Sequence, residues 1–128
     1  MSKYEQIVYE CLKELFPHFN IKTQYSLSHL KDAPKSVRRS PLDIYIPELK
    51  VGIEVDGAHH HHPVSYGGDV EAQVQFDKRR QIDNMKDIAL QEAGIRLIRI
   101  NTDIIGSLKH DQLCELLSNL IINVIKSR

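Results

Sequence analysis

Three carboxylates and a run of four histidines stand close together near the middle of the sequence. Asp43 lies in Pro41-Leu42-Asp43-Ile44-Tyr45-Ile46-Pro47. Glu54 and Asp56 lie in Val51-Gly52-Ile53-Glu54-Val55-Asp56-Gly57, and His59 to His62 follow after one alanine. Carboxylates that face one another on half-buried strands repel and are costly to desolvate. A hard divalent cation such as Mg²⁺ resolves that conflict, because it takes carboxylate and carbonyl oxygens. Imidazoles beside it can move a proton or hold a softer metal.

These residues need strands to position them. With the two-residue period of a β-strand, Leu42, Ile44 and Ile46 share one face and leave Asp43 and Tyr45 on the other. Val51, Ile53 and Val55 likewise share a face and leave Gly52, Glu54 and Asp56 opposite. Pro47-Glu48-Leu49-Lys50 is short enough to join the two runs as a hairpin, which brings Asp43 and Glu54 to one side of adjacent strands. A solvated polar face is the commoner meaning of such alternation. The histidines at the strand end shift the reading towards a site, since functional residues collect in such loops.

Helices supply the surrounding groups. From Tyr4 to Phe16 the residues Ile7, Val8, Cys11, Leu12, Leu15 and Phe16 form one apolar stripe, closed by Pro17. Glu10 and Glu14 project away from it, whereas Glu5 falls at its edge and faces the protein. A first strand follows with Ile21, Thr23, Tyr25 and Leu27 in alternation. Ser28 to Ser40 has neither helical nor strand period and reads as a basic loop, carrying Lys31, Lys35, Arg38 and Arg39. After a Ser65-Tyr66-Gly67-Gly68 turn, Asp69 is the expected N-cap of a long helix that ends at Gly94. Ile82, Met85, Ala89 and Ala93 define one face of this helix. Lys86 projects within that arc, with Arg79 and Asp83 beside it as an ionic ridge. A lysine so placed must find a carboxylate, a phosphate or a route to solvent. Ile95 to Ile100 reads as a crossover strand, and a closing amphipathic helix runs from about Leu108 to Ile125.

The expected fold is therefore α/β, a single domain over residues 1–128 in the order αβββαβα, with a mixed sheet flanked by helices. Basic and acidic residues number 17 each, so net charge decides nothing about nucleic acid and only a local basic patch can. Arg38, Arg39, Arg79 and Arg80 are the candidate phosphate contacts, with Lys78 a weaker one. The N-terminus lacks the apolar core of a signal peptide, and no apolar run is long enough to span a bilayer. A soluble, cytoplasmic protein without a membrane partner is expected. Cys11 and Cys114 both fall among apolar helical residues, which favours buried reduced thiols over a disulfide or a zinc pair. The histidines sit inside the chain rather than at an end, unlike a purification tag.

The sequence also resembles a known family. Leu42-Asp43 matches the "PD" element and Glu54-Val55-Asp56 the "(D/E)xK" element of the PD-(D/E)XK nuclease superfamily. The resemblance is strongest to its branch of very-short-patch-repair endonucleases and related phage and homing-type endonucleases. Four blocks carry it in order: Tyr4 to Val8; Leu42 to Leu49; Ile53 to Gly57 with His60; and Asp83 to Lys86 leading to Gly94 to Ile100. The resemblance implies a restriction-endonuclease-like fold and a Mg²⁺-dependent endonuclease acting on DNA, with Mn²⁺ as a substitute metal. Asp43 would be the central metal ligand, joined by Glu54, the backbone carbonyl of Val55, and Glu5 directly or through water. Asp56 stands where the superfamily usually has a lysine. The resemblance offers Lys86 or His60 in its place, with the adjacent His59 and Asp83 as further candidates. It also implies an intracellular and in some relatives phage-encoded origin. RNA as substrate, and a monomer against a homodimer, stay open.

A second function class fits the same residues. His59 to His62 could hold Zn²⁺ on a nuclease-like fold kept for metal or DNA binding alone. That reading ranks below the nuclease, because successive residues on an extended segment alternate faces and few of the imidazoles can share one ion.

Overall fold

The computed structural model describes residues 1–57 and 69–127, the side chain of Asp69 excepted. Four strands form: β1 (Lys22–Tyr25), β2 (Leu42–Ile46), β3 (Val51–Asp56) and β4 (Arg96–Asn101). They make one sheet in that order, antiparallel between β1, β2 and β3 and parallel between β3 and β4. The predicted hairpin and crossover are both present. Lys50 closes the hairpin with a φ of 53°, a left-handed conformation that the tight link requires.

Five helices surround this sheet: α1 (Lys3–Leu15), α2 (Lys35–Arg38), α3 (Asp69–Glu92), α4 (Thr102–Ser107) and α5 (His110–Lys126). The chain is thus an α/β protein with an open mixed sheet, as expected. α1 starts where Ser2 Oγ accepts the Glu5 N–H at 3.2 Å, so one of the otherwise unpaired first-turn donors is satisfied. α3 already includes Asp69, the expected cap, as its first helical residue, so the helix begins one position earlier than expected. It stops before Gly94, whose φ of +77° suits glycine alone without strain.

Two helices correct the sequence reading. α2 lies in the stretch read as a loop without period; its single turn follows Pro34 and buries Val37. One turn is too short for periodicity to reveal. α4 follows β4 directly, where the Asn101 side chain caps it by accepting the Asp103 N–H at 2.7 Å.

The sheet separates two apolar layers. On one side α1 and α5 place Val8, Cys11, Leu12, Leu113, Leu117 and Ile121 over Ile44, Ile46, Ile53, Ile98 and Ile100. On the other, Leu27, Val37, Ala89, Leu90 and Ile95 pack with Leu42 and Tyr45. Each fully buried Leu or Ile contributes roughly 1.5–3 kcal/mol, so both layers matter to stability. Leu42 therefore does not share a face with Ile44 and Ile46, contrary to simple alternation. The phase breaks at Asp43. On α3 the buried residues are Lys86, Ala89 and Leu90, while Ala93 near the helix end is exposed. No helix among the described residues is long and apolar enough to cross a membrane.

Candidate functional site

The break in β2 builds the site. Backbone pairing between β2 and β3 runs through Ile46↔Val51, Tyr45↔Gly52 and Ile44↔Ile53 and then gives way to side chains. The Asp43 N–H donates to Glu54 Oε2 at 3.0 Å, and the Val55 N–H donates to Asp43 Oδ2 at 2.8 Å. Each acidic side chain thus occupies an acceptor role that a carbonyl fills elsewhere in a ladder. The facing of Asp43 and Glu54 expected from the hairpin is realised, by direct lacing across the strands.

Lys86 completes this pair from the opposite side. It is 2% exposed, and its ammonium contacts Glu54 Oε1 while donating to Ser40 Oγ at 3.0 Å and to the Pro41 carbonyl at 3.2 Å. All three donors of the ammonium are used. The lysine that stood out within the apolar arc of α3 finds a carboxylate, which is what its desolvation requires.

Among the described residues Asp43 has no such cation. Burial pushes its carboxyl up to about 7, and the nearby charges of Glu54 and Glu5 add to the rise, against a lowering by the Val55 N–H. Glu5 faces the protein from α1 as expected, and its Oε1 accepts a hydrogen bond from Gln24 Nε2 at 2.8 Å. Gln24 reaches it from a left-handed kink in β1, with φ 47°. Sequence reasoning did not single out Gln24, because only the tertiary fold brings β1 to α1. Among the described residues, three carboxylates with one ammonium leave a local excess of negative charge. Such a site attracts a divalent cation or a proton.

Asp56 is also buried, on the same face as Glu54, but its neighbour is different. Arg99 Nε lies 3.7 Å from Asp56 Oδ2. The same guanidinium spans Asp83 at 3.7 Å and contacts Asp87. The ridge expected on α3 is thus divided: Asp83 turns to Arg99 on β4, and Lys86 turns inward to Glu54. Burial alone would lower the Arg99 pKa, and Asp87, Asp83 and Asp56 together raise it instead.

The candidate phosphate contacts occupy varied settings. Arg39, Arg79 and Arg80 are exposed, and Arg80 lies over the Phe76 ring at 5.7 Å. Arg38 is half-buried and its Nε donates to the Ala33 carbonyl at 3.2 Å, which restricts it. His59, His60 and the rest of the histidine run lie outside the described residues, as does the 65–68 turn.

A second group of polar side chains lies at the seam of α1 and α5. Cys11, His110 and Cys114 each present a donor atom, all within 4.8 Å of one another, a group that could hold a metal ion. Both cysteines are free, as expected. Cys11 is buried, and burial together with Cys114 pushes its thiol up to about 12. Cys114 is only half-buried, so metal binding by these cysteines, ranked below a pair of buried reduced thiols, has a geometric basis. The signal was present as Cys-x₂-Glu in one predicted helix and His-x₃-Cys in another, one turn apart on a face in each case. The 99 residues that separate Cys11 from His110 hid their proximity. No family model matches this chain, and no curated protein matches it.

Proposed function

We propose that the protein is a metal-dependent endonuclease that hydrolyses phosphodiester bonds in DNA, with a restriction-endonuclease-like core of the PD-(D/E)XK type. The observation that carries this reading is the Asp43–Glu54 pair laced across β2 and β3, with Lys86 on Glu54 and Glu5 nearby. The order of the main elements and the hairpin-plus-crossover sheet agree with it.

The donor set suits a hard cation: Asp43 and Glu54 carboxylates, the Val55 carbonyl, and Glu5 directly or through water. Mg²⁺ there, or Mn²⁺ in its place, would polarise the scissile phosphate and make water a better nucleophile. Lys86 holds the Glu54 carboxylate in one orientation and offers positive charge beside the site. This is the role that a lysine at position 56 would otherwise fill, while Asp56 anchors β3 to Arg99. His60, with His59 as its neighbour, is the proposed proton carrier. Arg39, Arg79 and Arg80 are exposed and able to meet phosphates, and Arg38 would act from its bonded position. Reduced cysteines and a DNA substrate agree with a cytoplasmic setting.

The test is a panel of labelled DNA and RNA structures, including nicked, mismatched and branched duplexes, incubated with several divalent metals. Metal-dependent cleavage of at least one DNA substrate is expected. The absence of cleavage on every substrate with every metal contradicts the proposal.

A further inference from the structure

The seam between α1 and α5 holds a set of side chains that the nuclease reading does not use. Cys11 and Glu14 lie three residues apart on α1, and His110 and Cys114 four apart on α5, so each pair shares a helix face. Cys11 Sγ is 3.6 Å from His110 Nδ1, and Cys114 Sγ is 3.6 Å from His110 Nε2. Glu14 Oε2 contacts His110 Nε2. We propose that Cys11, His110 and Cys114 bind Zn²⁺ in a site that ties the N-terminal helix to the C-terminal one, with Glu14 orienting the imidazole.

Three arguments converge on zinc. The first is spacing. In a tetrahedral site with Zn–S of about 2.3 Å and Zn–N of about 2.0–2.1 Å, sulfur and nitrogen ligands stand roughly 3.6 Å apart. Each thiol stands at that distance from one ring nitrogen, Cys11 from Nδ1 and Cys114 from Nε2. One donor atom from each of the three residues lies within 4.8 Å of the others, so a small shift of the exposed imidazole brings a single nitrogen to both sulfurs. The second is donor chemistry. Two sulfurs with an imidazole favour Zn²⁺ over Mg²⁺ or Ca²⁺, which prefer oxygen, so this site and the Asp43 site would not compete for one metal. The third is access. Cys11 is fully buried, whereas the side chains of His110 and Glu14 are 53% and 63% exposed. The ion enters from the open side and is held from below.

On binding, each thiol releases its proton to solvent as its sulfur bonds the metal, and His110 ligates through one neutral ring nitrogen. Glu14 contacts Nε2 of the same ring, so it stands behind the imidazole and holds its orientation while Nδ1 is left for the ion. The bond network joins the two ends of the described fold and fixes α1, the helix that carries Glu5.

The test is zinc content and Co²⁺ spectroscopy on the full, reduced chain. The wild-type protein is expected to retain one Zn²⁺ per chain after treatment with a weak chelator. With Co²⁺ it should give thiolate-to-cobalt charge-transfer absorption with tetrahedral visible bands. Cys114→Ser and His110→Asn should each lose the stoichiometric zinc. His110 is exposed, so its replacement leaves the fold intact even if a cysteine change does not. Glu14→Gln should keep the thiolate band and bind Zn²⁺ at least about tenfold more weakly, since groups behind the ligands change affinity by about 10–100-fold. Replacing His59, His60, His61 and His62 with alanine should leave zinc and the cobalt band unchanged. A wild-type chain without stoichiometric zinc overturns the proposal. So does zinc that survives in His110→Asn and disappears with the four-histidine replacement.

Discussion

Asp43 and Glu54 are bound to each other's strands by side chain: Glu54 accepts the Asp43 N–H at 3.0 Å, and Asp43 accepts the Val55 N–H at 2.8 Å. This lacing holds two carboxylates at one point of the sheet while only Glu54 has the Lys86 ammonium. Burial and the charge of Glu54 raise the Asp43 carboxyl from 3.8 to about 7.

A pH dependence follows directly. Below about pH 4 Asp43 is protonated in both folded and unfolded chains. Between there and about pH 7 the folded state binds the extra proton, so stability of the metal-free protein falls as pH rises through that window and levels off above it. Asp43→Asn keeps an acceptor for the Val55 N–H and removes the charge. It should stabilise the metal-free protein at pH 8 by about 1–2 kcal/mol after allowance for partial exposure. It should also flatten the slope between pH 4 and 7. Urea unfolding at a series of pH values measures both effects, and an unchanged slope in the variant would sink this explanation.

Lys86→Met leaves the buried Glu54 carboxylate without its cation. Breaking a buried pair from one side costs about 3–5 kcal/mol. Lys86→Met with Glu54→Gln should recover more than half of that loss, since the removed charges belong to one pair. A double-mutant cycle by chemical denaturation gives the coupling. Additive losses would show that the two residues act independently.

Arg99 gathers Asp56, Asp83 and Asp87 between β3, β4 and α3. Because Asp56 is buried, Arg99→Leu should destabilise by about 2–3 kcal/mol, below the full cost for a completely buried pair. Hydrogen exchange should quicken at the C-terminal end of β3 before the β1–β2 edge responds. Equal exchange throughout the sheet would argue against this local role.

Gly52 sits where the leucines of the two flanking strands leave no room for a side chain. A Cβ there would meet Leu42 Cδ1 at 2.9 Å and Leu97 Cδ1 at 3.4 Å. Leu42 is fully buried and precedes Asp43. Gly52→Ala should therefore cost about 1–3 kcal/mol through overpacking, measurable by thermal unfolding; a neutral substitution would mean that Leu42 can yield.

Much of this arrangement is legible in the residues. The β2–β3 hairpin, the crossover to β4, the inward Lys86 and the inward Glu5 all follow from period and turn length. Other features escape for physical reasons. Leu42 changes face because Asp43 bonds by side chain, and a period-two pattern assumes an unbroken ladder. Gln24 and Arg99 find their partners only when distant elements meet, and local spacing carries no information on that. Cys11 and His110 meet across almost the whole chain, so their helices predict a shared face on each and not their juxtaposition.

The most direct test is cleavage of supercoiled plasmid and branched DNA with Mg²⁺ or Mn²⁺, comparing wild type with Asp43→Ala and Glu54→Gln. Charge stabilisation by a metal amounts to several kcal/mol and about 1.4 kcal/mol is tenfold in rate, so Asp43→Ala should be slower by at least about a hundredfold, with a chelator abolishing wild-type cleavage. Metal-dependent cleavage by Asp43→Ala at the wild-type rate would contradict the account.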